Sequence, residues 1–138
     1  MKPACLSLTA IAIPLWLLAA APAMAQGQES FVLPSGNIGC TFTPRGGTAV
    51  YQPSDGGPEL SCDRVEPNYT RVTLGRRGPA QIERNVGDPS CCDAGPVLAY
   101  GQVWRRAPFA CESSQSGLKC RRDDGKGFSI SRRGIAVD

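Results

Sequence analysis

Tyr69-Thr70-Arg71-Val72-Thr73-Leu74 is the stretch that decides the fold class. Val72 and Leu74 fall on one side of an extended chain and Arg71 and Thr73 on the other, the period-two pattern of a half-buried strand. Residues 75–79, from Gly75 to Pro79, then signal a turn, and residues 80–86 read as the returning arm of a hairpin. A single helical turn over 80–85 is the alternative, but Pro79 and Gly87 leave too little room for a stable helix. Upstream, residues 31–33, 38–42, 49–51 and 60–65 are short apolar or β-prone stretches. They are separated by Pro34-Ser35-Gly36-Asn37, Arg45-Gly46-Gly47 and Asp55-Gly56-Gly57-Pro58. Downstream, residues 97–105, 109–112, 118–121 and 128–131 continue the series at sandwich-like spacing. All 16 glycines and nine of the 12 prolines lie beyond residue 25, punctuation that breaks helices repeatedly. The expectation is an all-β fold: a small disulfide-stapled antiparallel sandwich or barrel of short hairpins.

Residues 1–25 read as a cleaved signal peptide. Lys2 gives a thin positive start, residues 6–18 are apolar, and Ala23-Met24-Ala25 supplies the small-x-small pattern that signal peptidase cleaves. An uncleaved anchor is the alternative, since residues 4–25 carry no charge and approach the roughly 20 residues that span a bilayer. Pro14, Pro22 and the alanine-rich end favour processing, so no stable membrane span is expected after cleavage. Cys5 precedes the apolar run and so does not suit lipoprotein attachment. Residues 26–138 remain as a single domain, exported to the periplasm or secreted.

Six of the seven cysteines stay in that exported part, where thiols oxidise, so they read first as disulfides. Cys111 and Cys120 flank residues 113–117, a polar segment that folds back readily. Cys40 and Cys62 sit in two apolar stretches joined by a glycine-rich excursion. Each closure is worth roughly 3 kcal/mol by loop entropy. Cys91 and Cys92 are left for one another, with reduced thiols or bonds to distant cysteines as the alternatives. Ser35-Gly36-Asn37-Ile38-Gly39-Cys40 also echoes Ser116-Gly117-Leu118-Lys119-Cys120, as two stapled hairpins would.

Charge is unevenly placed. Residues 105–133 hold Arg105, Arg106, Lys119, Arg121, Arg122, Lys126, Arg132 and Arg133 against Glu112, Asp123 and Asp124. The eight basic groups suggest a positive face toward an anionic partner, either an envelope component or another exported protein. Nucleic acid is not expected, because no aromatic-interleaved binding motif accompanies the charges.

Histidine is absent from the chain, which removes Ser-His-Asp and Cys-His catalysis and imidazole-ligated metal sites. No Cys-x-x-Cys spacing occurs, so a thioredoxin-like or zinc-ribbon site is disfavoured. Ser116-Gly117-Leu118-Lys119 matches Ser-x-x-Lys without the companion motifs that a penicillin-binding site requires. Asp123-Asp124-Gly125 lacks the further carboxylates of a calcium loop. No cofactor and no metal are expected, and catalytic residues are expected to be none. Asp63, Glu66, Glu83, Asp88, Asp93 and Glu112 supply carboxylates for acid–base work only if the fold brings them together.

Several segments resemble a bacterial family of exported cysteine-containing domains of unknown function. They are Phe31-x-x-Pro34-Ser35-Gly36-Asn37-Ile38-x-Cys40, Leu60-Ser61-Cys62-Asp63, Leu98-Ala99-Tyr100-Gly101, Cys111-x-Ser113, Gly117-Leu118-x-Cys120 and Gly125-x-Gly127-Phe128-x-x-Ser131-Arg132. The resemblance implies a compact cysteine-stapled exported domain and brings no known activity. Lys126 stands where the family often has histidine, and the adjacent Cys91 and Cys92 replace a separated central pair.

The functional expectation is a non-enzymatic exported binding or envelope-associated module acting through exposed loops and the basic face. A small carboxylate-dependent hydrolase and an inhibitor of an extracellular enzyme are the alternatives. The place to look for a site is the 123–127 turn together with Tyr100, Trp104 and the nearby arginines.

Overall fold

A computed structural model describes residues 27–138. The signal-peptide reading of residues 1–25 lies outside the described residues.

Ten strands form two five-stranded antiparallel sheets. The first contains β1 (Glu29–Val32), β2 (Ile38–Thr43), β3 (Glu59–Arg64), β4 (Thr70–Leu74) and β5 (Gln81–Glu83), hydrogen-bonded in chain order. The second contains β6 (Val103–Arg106), β7 (Phe109–Ser114), β8 (Gly117–Arg122), β9 (Gly127–Ile130) and β10 (Ile135–Val137), also in chain order. Each sheet is thus one continuous stretch of chain, wound as a meander. The arrangement is an all-β sandwich, with no helix among the described residues.

Alternation decides which residues enter the core. In β4, Thr70, Val72 and Leu74 are buried while Arg71 and Thr73 are partly exposed on the outer side. Register carries this across the sheet: Leu74 pairs Leu60, which pairs Phe42, and Val72 pairs Cys62, which pairs Cys40 and then Phe31. The second sheet answers with a row of Trp104, Cys111, Cys120 and Phe128. Side chains of both sheets form one buried cluster, and Phe42 meets Phe109 edge-on at 6.2 Å between ring centres.

Disulfides Cys40–Cys62 and Cys111–Cys120 each join directly opposed residues of neighbouring strands, with Cα atoms 4.1 Å apart. The echo between the two Ser-Gly segments has a counterpart in the register. Cys40 lies between Phe31 and Cys62, whereas Cys120 lies between Cys111 and Phe128. The same row of two cysteines and a phenylalanine recurs in mirrored order, filling the middle of each sheet.

Two inward-facing arginines tie the sheets together at opposite ends. Arg64 Nη1 donates to the Ser131 carbonyl at 2.9 Å. Arg122, 5 % exposed, donates to the carbonyls of Gly75 and Gly78 at 2.6 and 2.8 Å and pairs with Asp124. The hydrogen bond from Arg122 holds the Asp124 carboxyl below the usual range.

Three strand expectations need correction. Residues 49–51 form no strand: Val50 is 94 % exposed at the tip of a loop braced by Thr48, whose hydroxyl accepts from the Val50 and Tyr51 amides. Of residues 97–105, only 103–105 are in a strand, because Val97 and Leu98 bridge across to Val32 as an isolated parallel contact. Strand β10 was not expected; it pairs its Ile135 with Ile130 after the Ser131 to Gly134 turn.

Candidate functional site

The turns Pro34 to Asn37, Ser114 to Gly117 and Ser131 to Gly134 lie at one end of the sandwich and surround an open cleft of roughly 450 Å³. Both halves of the Ser-Gly echo reach it. Gly36 sits at φ +70°, and Gly117, at φ +134°, packs so closely on the Ile130 carbonyl that a side chain has no space. Asn37 fixes one wall by a two-way bond with the Glu66 main chain, its Nδ2 donating at 3.1 Å and its Oδ1 accepting at 2.8 Å. Ser113, buried in β7, donates its hydroxyl to the Leu98 carbonyl, and Gly101 donates its amide to the Ser113 carbonyl. Those bonds hold the 98–102 segment so that Tyr100, 42 % exposed, stands in the cleft wall.

Arg132 and Arg133 complete the rim. Arg132 reaches Glu66 at 2.9 Å in a pair exposed on both sides, which contributes little to stability. Arg133 makes no ion pair among the described residues. The hydroxyls of Ser35, Ser114 and Ser116 line the space between. Chemically the cleft offers positive charge, serine hydroxyls and one aromatic ring; the Ser114 hydroxyl donates to the Gly117 carbonyl and accepts from Ser116.

The other basic groups are dispersed. Arg105 and Arg121 share the outer face of the second sheet, one register row from Lys119 and Glu112. Arg106 turns toward Glu29 and lies over the Phe42 ring at 5.7 Å. Arg122 is the interior clamp, and Lys126 closes the β8–β9 turn. The 123–127 turn and Tyr100 do not meet, because the six residues of β8 separate the two ends of the sandwich. Trp104 is also away from the cleft: it packs on Phe31 and donates Nε1 to Glu29 at 2.9 Å.

The carboxylates divide as well. Asp63, Glu83, Asp88 and Asp93 line a groove on the outer face of the first sheet, whereas Glu66 and Glu112 lie elsewhere. Asp63 is already committed, receiving Arg71 Nε and Nη2 at 2.7 and 2.8 Å and the Tyr69 hydroxyl at 2.5 Å. These bonds to Asp63 raise Arg71 further above its ordinary range, and burial, together with Asp63, raises Tyr69. Sequence reasoning missed Glu59, which is 7 % exposed in that groove and accepts the Tyr51 hydroxyl at 2.8 Å. Burial raises the Glu59 carboxyl and, with Glu59, pushes Tyr51 up to about 12. The available signal was the alternation of Glu59 with Leu60 and Ser61. Cys91 and Cys92 are bonded to each other and form part of the groove wall above Gly39.

The model of a family of unknown function (DUF6636) matches residues 39–136, from within β2 to within β10. No curated protein and no solved structure matches the chain.

Proposed function

We propose that this chain, which belongs to the family of unknown function (DUF6636), is an exported, non-enzymatic binding module for an anionic envelope component, with the end cleft as its contact surface. The observation that carries this reading is the convergence of Arg132, Arg133, Tyr100 and four serines on one open cleft. Arginine presents several donors in a fixed fork and suits carboxylate or phosphate groups. Serine hydroxyls and an aromatic ring add contacts that a purely ionic patch lacks. The leader pattern of residues 1–25 supports export, and three disulfides are compatible with an exported protein.

The test measures binding of the oxidised protein to an acidic polysaccharide and to anionic phospholipid vesicles, with neutral counterparts of each, across a salt series. Binding to an anionic probe that weakens as salt rises, and falls further in R133S than in R105S, supports the cleft. Equal loss in the two variants moves the contact to the outer face of the second sheet, and no binding to either anionic probe overturns the reading.

A further inference from the structure

The groove on the opposite charge side of the molecule is built differently. Its floor is the outer face of β1 to β5, which presents two parallel register rows. One row is Ser30, Thr41, Ser61, Thr73 and Gln81; the next is Val32, Gly39, Asp63, Arg71 and Glu83. The first row places hydrogen-bonding side chains on five consecutive strands, about 4.8 Å apart. Ser30 and Thr41 bond each other at 3.0 Å, while the Ser61 and Thr73 hydroxyls have no partner among the described residues. Tyr51 walls one side, and Asp88, Asp93 and the Cys91–Cys92 pair wall another, enclosing roughly 580 Å³.

Charge in this groove is one-sided. Glu59, Asp63, Glu83, Asp88 and Asp93 line it against Arg71 alone, and Arg71 is spent on Asp63. Glu59 is 7 % exposed and gives one carboxylate oxygen to the Tyr51 hydroxyl. An anion is excluded by repulsion, and a positive group is favoured. A basic peptide lying across the middle of the floor gains no main-chain bonds, because β2, β3 and β4 are paired on both sides and the sheet edges are at β1 and β5. The hydroxyl ladder instead matches a chain that carries hydroxyls at repeated intervals.

We propose that this groove is a second binding site and that it takes an amine-bearing oligosaccharide, with the sugar hydroxyls on the Ser61 and Thr73 row and the ammonium groups facing Glu59, Glu83 and Asp93. The site is separate from the end cleft, so its occupant and its failure are independent of the anionic partner.

Calorimetry on the oxidised full chain tests it with a glucosamine oligomer, the N-acetylated oligomer of equal length, and a lysine tetramer. The glucosamine oligomer binds saturably, weakens at high salt, and outcompetes both others by about tenfold or more. E83Q and D93N, both at partly or fully exposed surface positions, each weaken it roughly two- to fivefold, and S61A with T73V weakens the acetylated and free oligomers alike. R133S leaves it unchanged. Equal affinity for the acetylated oligomer overturns the role of charge, equal affinity for the lysine tetramer overturns the sugar class, and absence of binding to all three overturns the site.

Discussion

Gly39 shows how one missing side chain places a structural feature distant in sequence. A Cβ there would lie 3.0 Å from Cys91 Sγ and from Cys92 Cβ, so the bonded cysteine pair rests on the sheet only because position 39 presents bare backbone. G39V is expected to lift the 88–94 segment while leaving the core, which faces the other way, in place. Cleavage of that segment by a broad-specificity protease should accelerate, with near-UV circular dichroism of the core aromatics retained. Glu59 gives a second test at this scale. Its folded carboxyl titrates above the ordinary value of 4.5, so the fold retains that proton more tightly than the unfolded chain does. Stability is therefore undiminished below 4.5 and declines as pH rises through that value until the raised one is passed. E59Q keeps an acceptor for Tyr51 and removes the decline: urea unfolding should show equal stability well below 4.5 and a more stable variant above it.

At the scale of elements, strands were legible wherever one side faces the core. Thr70 to Leu74 alternates because its inner side packs on β3 and the second sheet while its outer side meets the groove. Residues 49–51 carry the same β-prone composition without a partner strand, and composition alone does not reveal a partner. Cys111 and Cys120 were legible as near neighbours because the eight residues between them form a local hairpin that sets their register. The seat of Cys91–Cys92 was not, since it depends on Gly39, some fifty residues away. The two clefts were equally hidden. Arg122 counts as surface charge in any composition, and only the Gly75 and Gly78 carbonyls of the other sheet make it an interior group. Within the second sheet, C111S/C120S is expected to lower unfolding free energy by about 2–3 kcal/mol, the loop-closure value for a short ring. Equilibrium urea unfolding of the double variant against the oxidised parent gives that difference.

Across the whole molecule, charge and clamps follow the two-sheet plan. An acidic groove occupies the outer side of the first sheet, and the basic cleft sits at one end where turns of both sheets meet. Arg64 and Arg122 bridge the sheets at opposite ends. Replacing Arg122 by methionine keeps most of its length but leaves two carbonyls without their donor. R122M should cost about 2–4 kcal/mol, measured by the same unfolding experiment.

The meander plan also fixes how the chain is linked as a graph of covalent bonds. Cys40–Cys62 closes a ring inside the first sheet and Cys111–Cys120 one inside the second, while Cys91–Cys92 closes its ring within the connection between them. One strand of polypeptide, between Glu83 and Val103, is thus the sole covalent path from sheet to sheet among the described residues. A single cut there, at any peptide bond other than that joining Cys91 to Cys92, should leave two interlocked halves that migrate together on a native gel. In denaturant without reductant they should part as two fragments, each retaining its own ring.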